Sequence, residues 1–387
     1  VRGLASLIGR PAARLGGSAG ALARRNSMRN PGRTATTAAA LTIGVTLVTV
    51  VSVVGQGLRD STSGTLDKRI VATHVVTGAD GWSPLDPKIE RQLASAPGVE
   101  GVSGISQDTG LAYGQKEVVN GIDPATIGGR LSYEWKDGSN AVLGALDGDG
   151  AIVDEGWATE HGLAVGGRFS VTSPKGDELA LTVRAIEDSP ILDPMAMGPI
   201  TIAKSAYDGA FANKRNVLTF VSAADGADLS KAVAGFPDIK VQTKDGFIDQ
   251  TTSDISSLLA IFYVLLALAV IVSLFGIVNT LVLSTFERTR ELGMLRAVGM
   301  TRRQVRRMVR HESIITALLG TTLGVAAGLG LAALLTSRFS AEGLTFAIPT
   351  ATLVVLAIGA IVAGILAAVL PARRAARLNV LNALAYE

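Results

Sequence analysis

Hydrophobic and polar positions divide the chain into four long apolar runs and one large mixed segment. The runs are Thr34–Val54 ("TATTAAALTIGVTLVTVVSVV"), Ser257–Leu283, Ser313–Ser337 and Ile348–Leu370, and none contains Asp, Glu, Lys, Arg or His. About 20 apolar residues cross a bilayer as a helix, so each run predicts a transmembrane helix. The segment between the first two runs is patterned differently. "IVATHVVTG" alternates as a strand, and "DPKIERQLASA" follows as a helix with Asp86 as N-cap, Pro87 at its first position and Ile89 and Leu93 on one face. "VEGVSGISQ" reads as a second strand, and "NVLTFVSA", "ADLSKAVAGF" and "IKVQTK" repeat strand–helix–strand near the segment's end. Two such β-α-β units fit a ferredoxin-like sandwich. Between them, about 110–205 is a β-rich insertion: "GAIVDEGWATEHGL" offers a strand and a short helix, and "RFSVTS" and "LALTVRAIED" alternate as paired strands. The predicted fold class is a membrane α-helical part with four transmembrane helices, joined to an extracytoplasmic α+β domain.

The organisation that follows is a lead-in over 1–33, spans at 34–56, 257–284, 313–337 and 348–370, the mixed domain at 57–256, loops at 285–312 and 338–347, and a tail at 371–387. No proline interrupts the chain from Gly32 to Ser83 or between Pro237 and Pro349. The polar stretches beside the first two spans, Gly55–Ile70 and Phe247–Ser257, therefore read as helical stalks. A helix over Phe247–Arg296 would be about 75 Å long, well beyond a hydrocarbon core of about 30 Å. The third run carries Gly320, Gly324 and Gly328 at four-residue spacing, and the fourth carries Ala360 and Gly364. Such small-residue faces permit close helix packing, and they also suit a sliding or dimer-forming face.

Charge sharpens this picture. The segment 57–256 has 17 Lys+Arg against 28 Asp+Glu, a net of −11, and the remainder has 19 against 5, a net of +14. Every lysine lies in 57–256. Arginines cluster before the first span, between the second and third, and after the fourth. By the positive-inside rule both termini and 285–312 are then cytoplasmic, and 57–256 is extracytoplasmic. The first span reads as an uncleaved signal anchor in a plasma (inner) membrane. Juxtamembrane arginine explains the basic clusters without nucleic acid. Zero cysteines exclude disulfides and thiolate metal sites. His74, His161 and His311 lie far apart in sequence, so no metal site is expected. Spans without ionisable residues disfavour proton- or ion-coupled transport. No G-x-x-x-x-G-K-[ST] occurs, so no ATP is expected on this chain. Asp154, Glu155, Glu160, His161 and Asp188 form no recognisable catalytic pattern, and Ser83 and Ser132 lack a nucleophile-elbow context.

The stretch "FERTRELGMLRAVGMTRRQV" (Phe286–Val305) places charge at helical spacing between two lipid-like runs. As a helix over Phe286–Val298 it puts Leu292, Leu295 and Val298 near one face with Met294 at its edge. Glu287 and Arg290 are spaced to pair. Gly299 suits the C-cap, and Thr301 can cap the next helix. This gives a short helix with an apolar ridge, suited to docking in a partner's groove or to lying on the lipid surface.

That stretch resembles the signature of FtsX/MacB-type ABC-transporter permeases, E-R-x-x-E-[IL]-[AG]-x-[LM]-[KR]-A-x-G, at Glu287, Arg288, Glu291, Leu292, Gly293, Leu295, Arg296, Ala297 and Gly299. The tail "LPARRAARLNVLNALAYE" is similar to the family's ending but departs at Val380, where proline is usual, and at Asn382, where Glu is usual. The N-terminal "VRGLASLIGRPAARLGGSAGALARRNSMRNPGR" resembles its amphipathic lead-in. The resemblance implies a non-catalytic permease subunit that works by mechanotransmission. A cytoplasmic ABC ATPase dimer would bind ATP and Mg and move the coupling helix, and stalks would carry the motion to the outer domains of a pair of permease copies or halves. The implied outcome is export or extraction of lipid, lipoprotein, peptide or drug; the alternative is a scaffold that regulates an extracytoplasmic cell-wall hydrolase or signalling partner by mechanotransmission, with an exported protein as partner. A start at Val1 without methionine fits the C-terminal half of a longer duplicated permease.

Overall fold

The computed structural model describes residues 2–29, 31–81, 83–189, 193–340 and 343–377. The tail positions Val380 and Asn382, and Glu342 in the loop between the last two spans, lie outside them. The chain forms two compact units, Val1–Leu58 with Ile255–Glu387, and Arg59–Asp254. In chain order, helices α1 (Arg2–Leu15), α2 (Gly17–Arg29) and α3 (Pro31–Arg69) precede strand β1 (His74–Gly78), helix α4 (Pro87–Ala94) and strands β2 (Val99–Ala112) and β3 (Gln115–Ile122). Next come α5 (Pro124–Ile127), β4 (Trp135–Asp137), α6 (Ala141–Gly144), β5 (Gly150–Asp154), α7 (Glu155–Glu160), β6 (Arg168–Thr172) and β7 (Glu178–Glu187). The sheet elements end with β8 (Ile200–Ala203), α8 (Lys204–Ala210), β9 (Asn216–Ala223), α9 (Leu229–Ala232) and β10 (Ile239–Thr243). Helices α10 (Lys244–Glu287), α11 (Thr289–Ala297), α12 (Arg302–Arg338) and α13 (Thr350–Ala376) complete the chain.

Among the described residues, four helices are long and apolar enough to cross a membrane: α3, α10, α12 and α13. Each is longer than its apolar run. α3 continues through the polar Gly55–Arg69 stretch, and α10 has 44 residues, about 66 Å at 1.5 Å per residue. The expected uninterrupted helix to Arg296 is not observed, because α10 ends at Glu287.

In the helical unit, α12 packs on α3 through its glycines. A Cβ on Gly320 would lie 3.0 Å from the Ala38 carbonyl oxygen, and one on Gly324 would lie 2.7 Å from Val45 Cβ and 2.8 Å from the Thr42 carbonyl oxygen. On Gly328 it would meet Thr49 Cβ at 2.5 Å. The opposite side of α12 takes α13: Gly364 faces Ala317 and Ser313, and Ala360 is buried. Polar bonds cross these contacts, as small-residue helix packing in an apolar medium favours. Thr46 Oγ1 donates to the Gly324 carbonyl (3.2 Å), Ser313 Oγ to Gly364 (2.7 Å) and, from α10 to α3, Ser273 Oγ to Ala40 (3.1 Å). The glycine faces are thus occupied by helices of the same chain.

The sheet domain is one ten-stranded sheet in the order β10-β1-β9-β2-β3-β8-β5-β7-β4, with β6 pairing β2 and β7. Strands β1, β2, β9 and β10 with α4 and α9 form the ferredoxin-like half, all antiparallel. Asp86 caps α4 from Lys88 N (2.8 Å), while Ile89 and Leu93 are buried. The insertion extends the same sheet, because β2 runs on to Ala112 and turns into β3. One face carries a continuous core that joins Leu66 of α3, Ile70 just after it, and Phe247 and Ile248 of α10 to both halves. The other face has two cores, one under α4 and α9 and one under α7 and α8.

Arg69, the last residue of α3, is buried. Its guanidinium meets Glu187 Oε1 at 2.6 Å and Asp193 Oδ1 at 3.3 Å. One cation faces two carboxylates, and burial pushes the Glu187 carboxyl up to about 7 against the pull of Arg69.

Two predictions follow from this packing. Gly324→Leu overpacks the α3–α12 contact and costs about 1–3 kcal/mol, whereas Gly330→Ala, with nothing within 4 Å of the added carbon, does not lower stability; thermal midpoints in detergent compare them. Glu187 holds its proton more tightly folded than unfolded, so its contribution is full below about pH 4.5 and is lost as pH rises through about 7. The sheet domain therefore melts at lower temperature at pH 8 than at pH 5, and Glu187→Gln flattens that slope.

Candidate functional site

The signature stretch is built at the arginine-rich end of the helical unit. α10 stops at Glu287, and Arg288 takes a non-helical φ of −102° and ψ of 16°. Thr289 Oγ1 donates to the Phe286 (2.6 Å) and Thr285 (3.2 Å) carbonyls beside this break. α11 then runs from Thr289 to Ala297 and not over the expected Phe286–Val298. Gly299 ends it at a φ of +112°, and Met300 N returns to the Leu295 carbonyl (2.9 Å), so a residue with a Cβ is disfavoured at that position. Thr301 opens α12 with a reciprocal capping box: its Oγ1 accepts from Gln304 N (3.3 Å), and Gln304 Oε1 accepts from Thr301 N (2.8 Å).

The expected apolar ridge divides between two faces. Leu292 and Gly293 are buried, and Leu292 joins a core with Ala19 and Ala23 of α2, Val305, Met308 and Val309 of α12, and Ala372 and Ala375 of α13. Leu292 is therefore a packing residue and not part of an open docking ridge; Leu295 beside it is half-buried. Met294 is 47% exposed and Val298 89% exposed. These two lie on the outer face with Glu287, Arg290, Glu291, Ala297 and Gly299, all exposed. Arg302, Arg303, Arg306, Arg307 and Arg310 of α12 are exposed as well.

Arg288 gathers the ion pairs of this stretch. Arg288 reaches Glu291 Oε2 (3.3 Å) and Glu312 Oε1 of α12 (3.2 Å), with its side chain 14% exposed and that of Glu312 19% exposed. Arg29 of α2 lies 3.9 Å from Glu291, but this pair is exposed and worth little. Arg296 is half-buried on the inner side. Sequence reasoning missed Glu312. The available signal was that it is the only acidic residue between Glu291 and Glu342, set among arginines. Among the described residues no group of three or more His, Asp and Glu is placed to hold a metal. The site offers an anchored face and an open face, an arrangement suited to docking.

Family profiles cover both parts of the chain. The MacB-like periplasmic core domain matches residues 34–239, and the FtsX-like permease C-terminal domain matches residues 263–380. The chain belongs to the FtsX/MacB-type ABC transporter permeases. The macrolide export ATP-binding/permease protein MacB of Azoarcus sp. is 29% identical over 228 residues, 57% of this chain and 33% of that protein. The uncharacterized ABC transporter permease protein Rv0987 of Mycobacterium tuberculosis is 24% identical over 330 residues, 81% of this chain and 38% of that protein. The crystal structure of the periplasmic region of MacB from Actinobacillus actinomycetemcomitans aligns with 49% of this chain and 95% of its own at 12% identity, with a TM-score of 0.34. The chain spans about a third of the length of these curated relatives.

Within the permease, Arg288 and Glu312 are expected to act as one unit. Arg288→Ala and Glu312→Ala should each destabilise by about 1–3 kcal/mol, because each removes a charge-assisted hydrogen bond between largely buried groups. A double-mutant cycle of unfolding should return a coupling of about 1 kcal/mol or more.

Proposed function

We propose that this permease couples ATP hydrolysis by a separate cytoplasmic ABC ATPase dimer to movement of residues 57–256 outside the membrane. The arginine-rich end then faces the cytoplasm, as the distribution of basic residues favours. ATP and Mg belong to the partner, a second permease copy or half completes the assembly, and the product of the work is export or extraction of a lipid, lipoprotein, peptide or drug. The observation that carries this reading is the division of α11. Leu292 ties the helix to α2, α12 and α13, while Met294 and Val298 remain exposed at its surface. A helix held on one side and apolar on the other can take a push from a docked protein and pass it to the helices it packs on.

Absence of ionisable residues from the apolar runs supports mechanical work over ion-coupled transport. Coupling is assigned to Glu287, Arg290, Glu291, Met294, Ala297, Val298 and Gly299 on the open side. Arg288, Leu292, Gly293, Leu295 and Arg296 are assigned to holding the helix in place.

The test is recovery of a P-loop ATPase with the full chain from native membranes in mild detergent, with and without a trapped ATP state. The wild type should recover it. Met294→Asp with Val298→Asp should weaken recovery at least about tenfold while the melting temperature stays unchanged. Full recovery by the double variant would remove α11 as the docking element, and no ATPase with the wild type would remove the coupling reading.

A further inference from the structure

Among the described residues, Arg69 and Glu187 are the only charged residues that are buried, and they are paired with each other. Removing a guanidinium and two carboxylates from water is expensive, and apolar side chains of similar volume commonly hold such a core as well or better. A fixed direction and register is what the ions add.

Around this triad the end of α3 is bonded to the insertion half. Ser132 N donates to the Arg69 carbonyl (2.7 Å), Val71 N (2.9 Å) and Ala72 N (3.1 Å) donate to Arg130, and Ile70 bridges Leu131. Glu187 ends β7, and Asp193 organises the β7–β8 connection by accepting from Met195 N (3.1 Å) and Met197 N (3.2 Å). The start of α10 is attached elsewhere. It follows β10 directly, Lys244 N donates to Thr73 beside β1 (2.8 Å), and Lys244 Nζ pairs with Asp67 of α3 (2.8 Å).

α3 thus holds the insertion half through Arg69, while α10 is joined to the ferredoxin-like half at β10 and Thr73 and to α3 through Asp67. Between those halves the sheet has a natural line of bending. The β2–β9 register shifts between Ile105 and Ser106, and strands bend at such irregularities. On the face away from α3 the two cores are separated here by a hydrogen-bonded polar row. Lys204 Nζ donates to Ser106 Oγ (2.7 Å), Ser106 Oγ to Asn216 Oδ1 (2.8 Å) and Asn216 Nδ2 to Glu90 Oε2 (2.8 Å).

We infer that Arg69 is the positioning residue through which α3 grips the insertion half, so that a movement of α3 is delivered to β7 and Asp193 and bends the sheet at the β2 irregularity. The role as a drive rests on the proposed coupling to an ATPase; the grip does not.

The first measurement addresses the grip alone, by hydrogen exchange on the full chain in nanodiscs. In Arg69→Met/Glu187→Met/Asp193→Leu, the amides of Val71, Ala72 and Ser132 should exchange at least about tenfold faster. The β1–β10 amides should keep their rates. Unchanged exchange at the three amides, or equal acceleration in both halves, would overturn the inference. Should the triple variant fail to fold, Arg69→Lys, which keeps the charge and loses the fork, is read by the same two criteria. The second measurement uses the cysteine-free background for spin labels at Asp177→Cys in the insertion and Asp225→Cys after β9. With the ATPase bound, trapping ATP should change their separation in the wild type and not in the triple variant. A change that persists in the triple variant overturns the drive. A wild type that recruits no ATPase overturns the proposed function and the drive, while the exchange result decides the grip by itself.

Discussion

The close approach of α12 to α3 is the contact on which the helical unit depends. Apolar helices in lipid gain no hydrophobic drive from touching, because lipid tails are as apolar as leucine. Close van der Waals contact and interhelical hydrogen bonds must hold them together. Gly320, Gly324 and Gly328 let the α3 backbone come near enough for Thr46 to bond the Gly324 carbonyl. With that side of α12 taken, α13 packs on the other through Gly364 and Ser313. The first turns of α12, beyond its apolar run, then give α2 and α11 a floor of Val305, Met308 and Val309. The seat of α11 is a consequence of helix packing begun three turns away.

Much of this was legible in the sequence for physical reasons. A bilayer demands a long uncharged run, and such a run is hard to mistake. The α4 cap was readable because Asp86-Pro87 satisfies the free N–H groups of a helix start through local chemistry alone. The ferredoxin-like half was readable from strand and helix periodicity at its two edges. The failures were nonlocal. Helical spacing puts Leu292, Leu295 and Val298 near one face, but it cannot say that α2 and α12 cover Leu292 and leave Val298 bare. Nor does it identify Arg288 as the break. The choice of Glu312 as a partner of Arg288 depends on a helix 24 residues away. Most hidden of all was Arg69. In sequence it is one more basic residue in a polar stretch, "GTLDKRI", and only β7 and Asp193 make it a buried ion.

The distribution of charge separates two kinds of work. Exposed ion pairs such as Arg29–Glu291 are screened by water and contribute little. The Arg288–Glu312 pair, largely withdrawn from solvent, joins the α10–α11 break to α12 and so keeps a bend where an uninterrupted helix would otherwise run. Arg69 with Glu187 and Asp193 does the same for the end of α3 within the sheet domain. Both are poor devices for adding net stability and good ones for specifying geometry. Each sits at the end of a long helix.

That placement bears on what the apolar runs do. Chemistry or ion transfer inside a membrane needs polar groups at depth, and apart from the Asn279 amide these runs have only hydroxyls as polar side-chain groups, most of which bond to carbonyls of their own or a neighbouring helix. Helices of this kind are suited to acting as rods. A rod is useful only if both ends are held in a defined register, and the buried charges provide that. At one end Leu292 and Arg288 hold α11 while Met294 and Val298 stay bare. At the other, Arg69 holds the end of α3 to β7. A push with no specific grip would be lost as local slippage; a grip with no open apolar face would have nothing to receive. The chain has both.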